Sequence, residues 1–135
     1  MDAPTQDDLN EVMDKHPYLT SVGLQVHKPR SKSQEEYDTE FQSYRQRLQN
    51  SLRQVQLCCE WISKCRQIKT VNRKIGSSYT LKHKVEKYFG EYIPAGAFVA
   101  AILYMGVPYK DYNDSPNIHV ALSAHLPELQ QEVKV

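Results

Sequence analysis

The sequence is poor in the residues that build disulfide frameworks, phosphate loops and membrane spans. Its three cysteines, Cys58, Cys59 and Cys65, are an odd number crowded into eight positions, which is a poor framework for a disulfide-rich secreted domain. No two of its five glycines stand within three positions of each other, so the glycine-rich loop of P-loop nucleotide hydrolases is missing. No run of about 18 apolar residues occurs, and the N-terminus is acidic where a secretory signal would be basic. We therefore expect a cytoplasmic protein with reduced cysteines and no membrane association.

Residue combinations typical of catalytic or metal sites are also scarce. The histidines are scattered, at His16, His27, His83, His119 and His125. No pair of them has the i, i+4 spacing of a helical metal site, and no Cys-x-x-Cys pair is present. Cys58 and Cys65 are seven apart and would share a face of a helix, where we interpret them as buried small apolar residues. The sequence predicts no enzyme activity, no metal site and no cofactor.

The charge is distributed unevenly along a chain of ordinary length and composition. The 135 residues suit a single domain, 1–135, and the formal net charge is only +1. Residues 1–40 nevertheless carry a net charge of −5, residues 41–90 a net +9 and residues 91–135 a net −3. A middle third at +9 attracts phosphate or an acidic partner, unless the acidic flanks fold back and neutralise it.

The middle of the chain has the strongest helical signal. Residues 34–70 contain no glycine or proline, and one apolar stripe recurs at alternating spacings of three and four. An unbroken helix of this length would measure on the order of 55 Å, whereas a compact domain of this size has a radius of gyration of roughly 14 Å. Either the helix breaks once or it pairs with a second copy, and we prefer the homodimer. Its predicted interface consists of Phe41, Tyr44, Leu48, Leu52 and Val55.

The flanking parts predict shorter elements. In the acidic part, 1–33, Thr5 is placed to cap a helix that ends near Lys15, and Val22, Leu24 and Val26 alternate as in a short strand. The C-terminal part, 71–135, predicts helices over 79–89 and 95–105, a polar connection over 107–116, a strand over 117–122 and a last helical turn or frayed end around Leu129 and Val133. The second of these helices is apolar all round and must lie in a core. The expected fold class is α+β and mainly helical.

Three groups of residues are candidates for binding. The helices over 79–89 and 95–105 have helix-turn-helix spacing, but the second lacks the polar surface that reads a major groove. The basic side of the first helix, with the cations before it, is the better candidate, and Tyr79 and Tyr88 are the aromatic residues near it. A polar and aromatic group in the C-terminal part, Tyr109, Lys110, Asp111, Tyr112 and His119, could contact a ligand or could be ordinary surface. The predicted binding residues are Arg66, Lys69, Arg73, Lys74, Lys82, His83, Lys84 and Lys87.

Residues 77–106 also carry a resemblance. The run SYTLKH at 78–83 and the run YIPAGAFVAA at 92–101, followed by Gly106, resemble a segment of short uncharacterised bacterial proteins of phages and plasmids. The resemblance covers about 30 of the 135 residues, implies a mobile-element setting and assigns no functional residue. The sequence thus predicts a small accessory nucleic-acid-binding protein. The alternative is a protein-interaction module, an inhibitor or adaptor of host machinery, that offers the same basic face to an acidic protein.

Overall fold

The N-terminal part forms a capped helix followed by a short hairpin. The computed structural model of the chain describes residues 3–25 and 28–128. Helix α1 spans Gln6–Lys15, and the predicted cap is confirmed because Thr5 and Asp8 each accept a hydrogen bond from the other's backbone N–H. Strands β1, Leu19–Thr20, and β2, Gly23–Leu24, pair antiparallel. The strand predicted around Val22 to Val26 is confirmed at β2, and Val26 itself lies outside the described residues.

The predicted helix over 34–70 is wrong in its length. Helix α2 spans Gln34–Gln49 and helix α3 spans Leu52–Ser63. Asn50 and Ser51 leave the helical conformation between them, and the Ser51 hydroxyl donates to Arg47 O at 2.6 Å. Short polar side chains compete with helical hydrogen bonds in this way, which explains a break without glycine or proline.

This break removes the length argument for a homodimer. Leu48 and Val55 are buried within the chain itself and belong to its hydrophobic core. Phe41, Tyr44 and Leu52 are half-buried. The homodimer stays a prediction, but two of its five interface residues are already covered by their own chain.

Two helices of the C-terminal part are confirmed. Helix α4 spans Ser78–Phe89 and helix α5 spans Ala95–Met105, each followed by a glycine in the left-handed conformation. The expected core position of α5 is confirmed as well, since every residue over 95–102 is buried. Phe98 of α5 packs edge-to-face against Trp61 of α3, with ring centroids 6.0 Å apart.

The start of α5 lies directly against the first hairpin. The Gly96 N–H donates to Ser21 O at 2.8 Å, and a Cβ at this glycine would lie 1.8 Å from Thr20 O. Only glycine permits so close a backbone contact. The hairpin is therefore fixed to the central helix.

The connection predicted over 107–116 is wrong in part, because it contains a strand. Strands β3, Tyr109–Tyr112, and β4, Ser115–Val120, pair antiparallel with His119 opposite Lys110. At and beyond the end of β4, residues 120–123 form hydrogen bonds with the chain over 66–72, of which 66–70 had been predicted as helix and 71–72 as part of a linker. Ile68 N donates to Ala121 O at 2.9 Å and Ser123 N donates to Arg66 O at 2.8 Å.

The predicted fold class is confirmed, since helices outnumber the two short strand pairs within residues 3–25 and 28–128. The core joins α1, α3, α4, α5 and β4. None of the helices in this part of the chain is long and apolar enough to cross a membrane. The segment around Leu129 and Val133 lies outside the described residues.

Candidate functional site

Four exposed cations lie on one stretch of chain beside β4. We call residues 66–74 the basic segment, and its cations are Arg66, Lys69, Arg73 and Lys74. Asn72 holds the second half of the basic segment in place. The Asn72 backbone N–H donates to Val120 O at 2.9 Å, and the Asn72 side chain donates to Leu122 O at 3.1 Å. None of the ion pairs formed within residues 3–25 and 28–128 involves these four cations. Their charges therefore face solvent.

The basic segment meets the polar and aromatic group of the C-terminal part. The Arg73 guanidinium carbon lies 5.6 Å from the centre of the Tyr112 ring, within the range of a cation–π contact. The Tyr112 hydroxyl in turn lies 2.9 Å from His119 Nδ1. Lys110 is opposite His119 in the hairpin, so it shares their face of the strand pair. Both groups of residues were predicted from the sequence, but the contact between them was not.

The outer face of α4 adds further cations. Tyr79, His83 and Lys87 follow each other at spacings of four and are all exposed, while Lys84 is half-buried. The Ser78 hydroxyl accepts a hydrogen bond from Ile118 N at 3.0 Å. This bond holds the first turn of α4 against the edge of β4, next to the end of the basic segment.

Lys82 differs from the other predicted binding residues. Its side chain is only 7% exposed, and its Nζ lies 3.2 Å from Glu86 Oε2. The aromatic rings of Tyr79 and Tyr92 cover it, with their centres 5.5 and 4.8 Å from Nζ. Lys82 is therefore not an exposed cation, which corrects its placement in the basic face.

Glu86 is the centre of this cluster. Besides Lys82, it accepts a hydrogen bond from Ile93 N at 2.9 Å, and its Oε1 lies 2.7 Å from His83 Nδ1. Burial by itself would raise the pKa of Glu86, but these hydrogen bonds outweigh burial and hold the pKa below its ordinary value. Glu86 is thus ionised at neutral pH and fixes the turn between α4 and α5. This role of Glu86 was not predicted from the sequence, although Glu86 stands three residues after His83 and four after Lys82.

Some other cations of the middle third are engaged within the chain. Arg53 Nε lies 2.9 Å from Glu91 Oε1, so the acidic flank does fold back onto the middle third at this point. Arg45 donates to backbone carbonyls at the end of α1, among them Pro17 O at 3.0 Å. The net charge of +9 therefore overstates the cations that are free to bind, and the basic segment holds the largest group of them.

The three cysteines lie in apolar surroundings. Cys58 is buried in the core, Cys59 is nearly so and Cys65 is half-buried just after α3. Burial raises the pKa of Cys59 and Cys65 to about 12, and it raises the pKa of Cys58 well above its ordinary value. Within the described residues, no group of three or more His, Cys, Asp or Glu side chains is placed to hold a metal ion.

We expect the native thiols to react slowly with iodoacetamide at pH 8. With a pKa of about 12, the thiolate fraction at this pH is on the order of one in ten thousand, against roughly a quarter for a free cysteine. Mass spectrometry should show alkylation on the order of a thousandfold slower in the native protein than in urea. Rapid labelling of any one cysteine under native conditions would contradict the burial described here.

The geometry of the α4–α5 pair excludes one mode of DNA recognition. In helix-turn-helix proteins the second helix lies in the major groove and reads base edges with exposed polar side chains. Here the second helix is α5, and its residues over 95–102 are buried. The α4–α5 pair therefore cannot present its second helix to a major groove.

Comparisons with protein-family models, with curated proteins and with solved structures each gave no match. Function is therefore inferred from the residues of this chain, and the resemblance of residues 77–106 to mobile-element proteins stays a prediction.

Proposed function

We propose that the protein binds nucleic acid through the phosphate backbone. The observation that carries this proposal is the basic segment: four exposed cations within nine residues, none of them in an ion pair within residues 3–25 and 28–128. Lysine and arginine side chains gain affinity for nucleic acid by displacing condensed counterions from phosphates, and they need no base sequence to do so. His83 and Lys87 on the outer face of α4 extend the same surface.

The aromatic side chains beside these cations favour nucleic acid over an acidic protein. Tyr112 and His119 lie next to Arg73, and Tyr79 lies on α4 beside His83. Surfaces that bind nucleic acid commonly combine cations for phosphates with aromatic rings for bases. An acidic protein surface needs only the cations for its charge, whereas unpaired bases use the rings as well.

The resemblance of residues 77–106 suggests a setting for this activity. It is consistent with a small accessory protein of a bacterial phage or plasmid, in which binding without sequence preference would serve to coat or protect nucleic acid. The alternative function, an inhibitor or adaptor of host machinery, would use the basic segment against an acidic protein.

The proposal predicts binding that weakens steeply with salt. If the four cations of the basic segment each contact one phosphate, the log–log slope of affinity against salt should be roughly −3.6 for a duplex and roughly −2.8 for a single strand, or steeper where further cations take part. A variant in which all four cations are replaced by alanine, at Arg66, Lys69, Arg73 and Lys74, should have a salt slope that is shallower by up to this amount. Its affinity at low salt should be at least about tenfold weaker. Fluorescence anisotropy of a labelled oligonucleotide measures both quantities.

A matched variant keeps the change in total charge the same. Lys15, Lys28, Arg30 and Arg47 are exposed cations of α1, of the loop before α2 and of α2, and none of them belongs to the basic segment. Replacing these four by alanine should leave most of the binding intact, and circular dichroism should show both variants folded. An equal loss of oligonucleotide affinity in the two variants would contradict a binding interface at the basic segment. No binding to single strands or duplexes at low salt, with capture of one acidic protein through the basic segment, would instead support the alternative function.

A further inference from the structure

Two tyrosines near the interface are unusually exposed. Tyr79 is 51% exposed and Tyr92 is 70% exposed, and Tyr92 is the most exposed of the large hydrophobic side chains in the described residues. Both rings lie on the Lys82 ammonium group, at 5.5 and 4.8 Å from their centres. We call Tyr79 and Tyr92 the tyrosine pair. Lys82 covers one side of each ring, but at least half of each tyrosine is exposed to solvent.

The rings are held in place by groups that are themselves fixed. Lys82 is buried and paired with Glu86, and Glu86 also binds the backbone N–H of Ile93, the residue after Tyr92. Tyr79 packs edge-to-face against His83, with ring centroids 4.8 Å apart. Aromatic rings that are already ordered lose little conformational entropy when a ligand stacks on them.

The tyrosine pair lies next to surfaces that suit phosphates. Tyr79 follows Ser78, whose hydroxyl bond to Ile118 N joins α4 to the edge of β4 close to the end of the basic segment. Lys87 and His83 share the exposed face of α4 with Tyr79. A strand whose backbone follows these cations therefore has its bases within reach of exposed aromatic rings.

We propose that the tyrosine pair stacks on unpaired bases and that the ligand is single-stranded nucleic acid. This inference rests on the proposed function and adds to it the kind of strand that is bound. The bases of a duplex are stacked on each other and offer no face to a side chain, whereas unpaired bases stack on aromatic residues. The Lys82 charge is neutralised by Glu86, so it orders the rings without serving as a main phosphate contact.

The first test uses the natural chain and three labelled probes of about twelve nucleotides: an oligothymidylate, an abasic strand with the same phosphates, and a duplex. We expect the oligothymidylate to bind about tenfold or more tighter than the abasic strand, because only the former can stack. The duplex should bind more weakly than the oligothymidylate, because its bases are stacked on each other and cannot stack on the tyrosine pair. An oligouridylate of the same length will show whether RNA or DNA is the better source of unpaired bases.

The second test uses variants of the tyrosine pair. Changing Tyr79→Ala with Tyr92→Ala should abolish the preference for the oligothymidylate, while Tyr79→Phe with Tyr92→Phe should keep it because the rings remain. Tyr18→Ala is the matched control, since Tyr18 is also 51% exposed but lies before β1 and is not one of the two rings on Lys82. Thermal melting should show each variant folded.

The outcomes separate the two proposals. Equal binding of the thymidylate and abasic strands, still dependent on the four cations of the basic segment, would overturn the stacking inference and leave the proposed function standing. The stacking inference would also be overturned if Tyr18→Ala reduced the preference for the oligothymidylate as much as the double change Tyr79→Ala with Tyr92→Ala. If none of the probes binds at low salt, the proposed function itself fails.

Discussion

Replacing Phe98 by alanine should lower the free energy of unfolding by about 3–5 kcal/mol. Phe98 is fully buried in the middle of α5, and its ring packs against Trp61 of α3. Because α5 is covered on all sides over 95–102, the neighbouring side chains have little freedom to fill the cavity that the change would leave. Urea unfolding followed by the fluorescence of Trp61, the single tryptophan, measures this loss.

Leu103→Ala is the matched control on the same helix. Leu103 is half-buried, so its truncation removes less buried surface than the change at Phe98. It should therefore lower the free energy of unfolding by clearly less. An unchanged unfolding midpoint for Phe98→Ala would contradict the position of α5 at the centre of the core.

Replacing Glu86 by alanine should lower the free energy of unfolding by about 3 kcal/mol. The change leaves the buried Lys82 ammonium without its counter-charge and removes the acceptor of the Ile93 N–H. Changing Lys82→Met together with Glu86→Leu removes both charges and leaves no unpaired charge buried. This double change should therefore lower the free energy of unfolding by less than Glu86→Ala alone. Chemical denaturation of the two variants measures the difference, and an equal or larger loss in the double variant would contradict the coupling of Lys82 to Glu86.

The same carboxylate predicts a pH dependence. The pKa of Glu86 is lower in the folded protein than in the unfolded chain, so its ionised form stabilises the fold above the ordinary glutamate pKa. This stabilisation is lost as the pH falls through the ordinary value toward the folded one. Glu86→Gln should therefore be closer in stability to the natural protein at acidic pH than at neutral pH, and denaturation curves at both would show it.

Local signals explain which elements of the fold were predictable. The capping box of α1 and the glycines after α4 and α5 act through neighbouring residues, and their spacing is visible in the sequence. The burial of α5 follows from its lack of charge. Residues 66–70 were assigned to a helix because their propensity allows one, whereas the hydrogen bonds that decide their structure join them to Ala121 and Ser123, far along the chain.

The candidate site was predictable only in its charge. The cations of the basic segment stand close together in the sequence, so their number and position were clear. The contact of Arg73 with Tyr112 and the covering of Lys82 by Tyr92 depend on how distant elements pack, which no periodicity encodes. Lys82 shows the limit most plainly, because a lysine on the flank of a helix is normally exposed and becomes buried here through a tyrosine from the following turn.

The central position of α5 also governs what happens when the chain unfolds. From Tyr92 to Tyr109 the sequence contains no charged side chain, and the fold hides most of this stretch behind α1, α3, α4 and the strands. During synthesis or after denaturation the covering elements are absent and the same stretch is exposed. Exposed apolar segments without charge promote association between chains. Pro94 and Gly96 oppose its conversion into a continuous β-strand. Burial of α5 in the folded protein thus keeps this stretch out of contact with other chains as well as stabilising the native state.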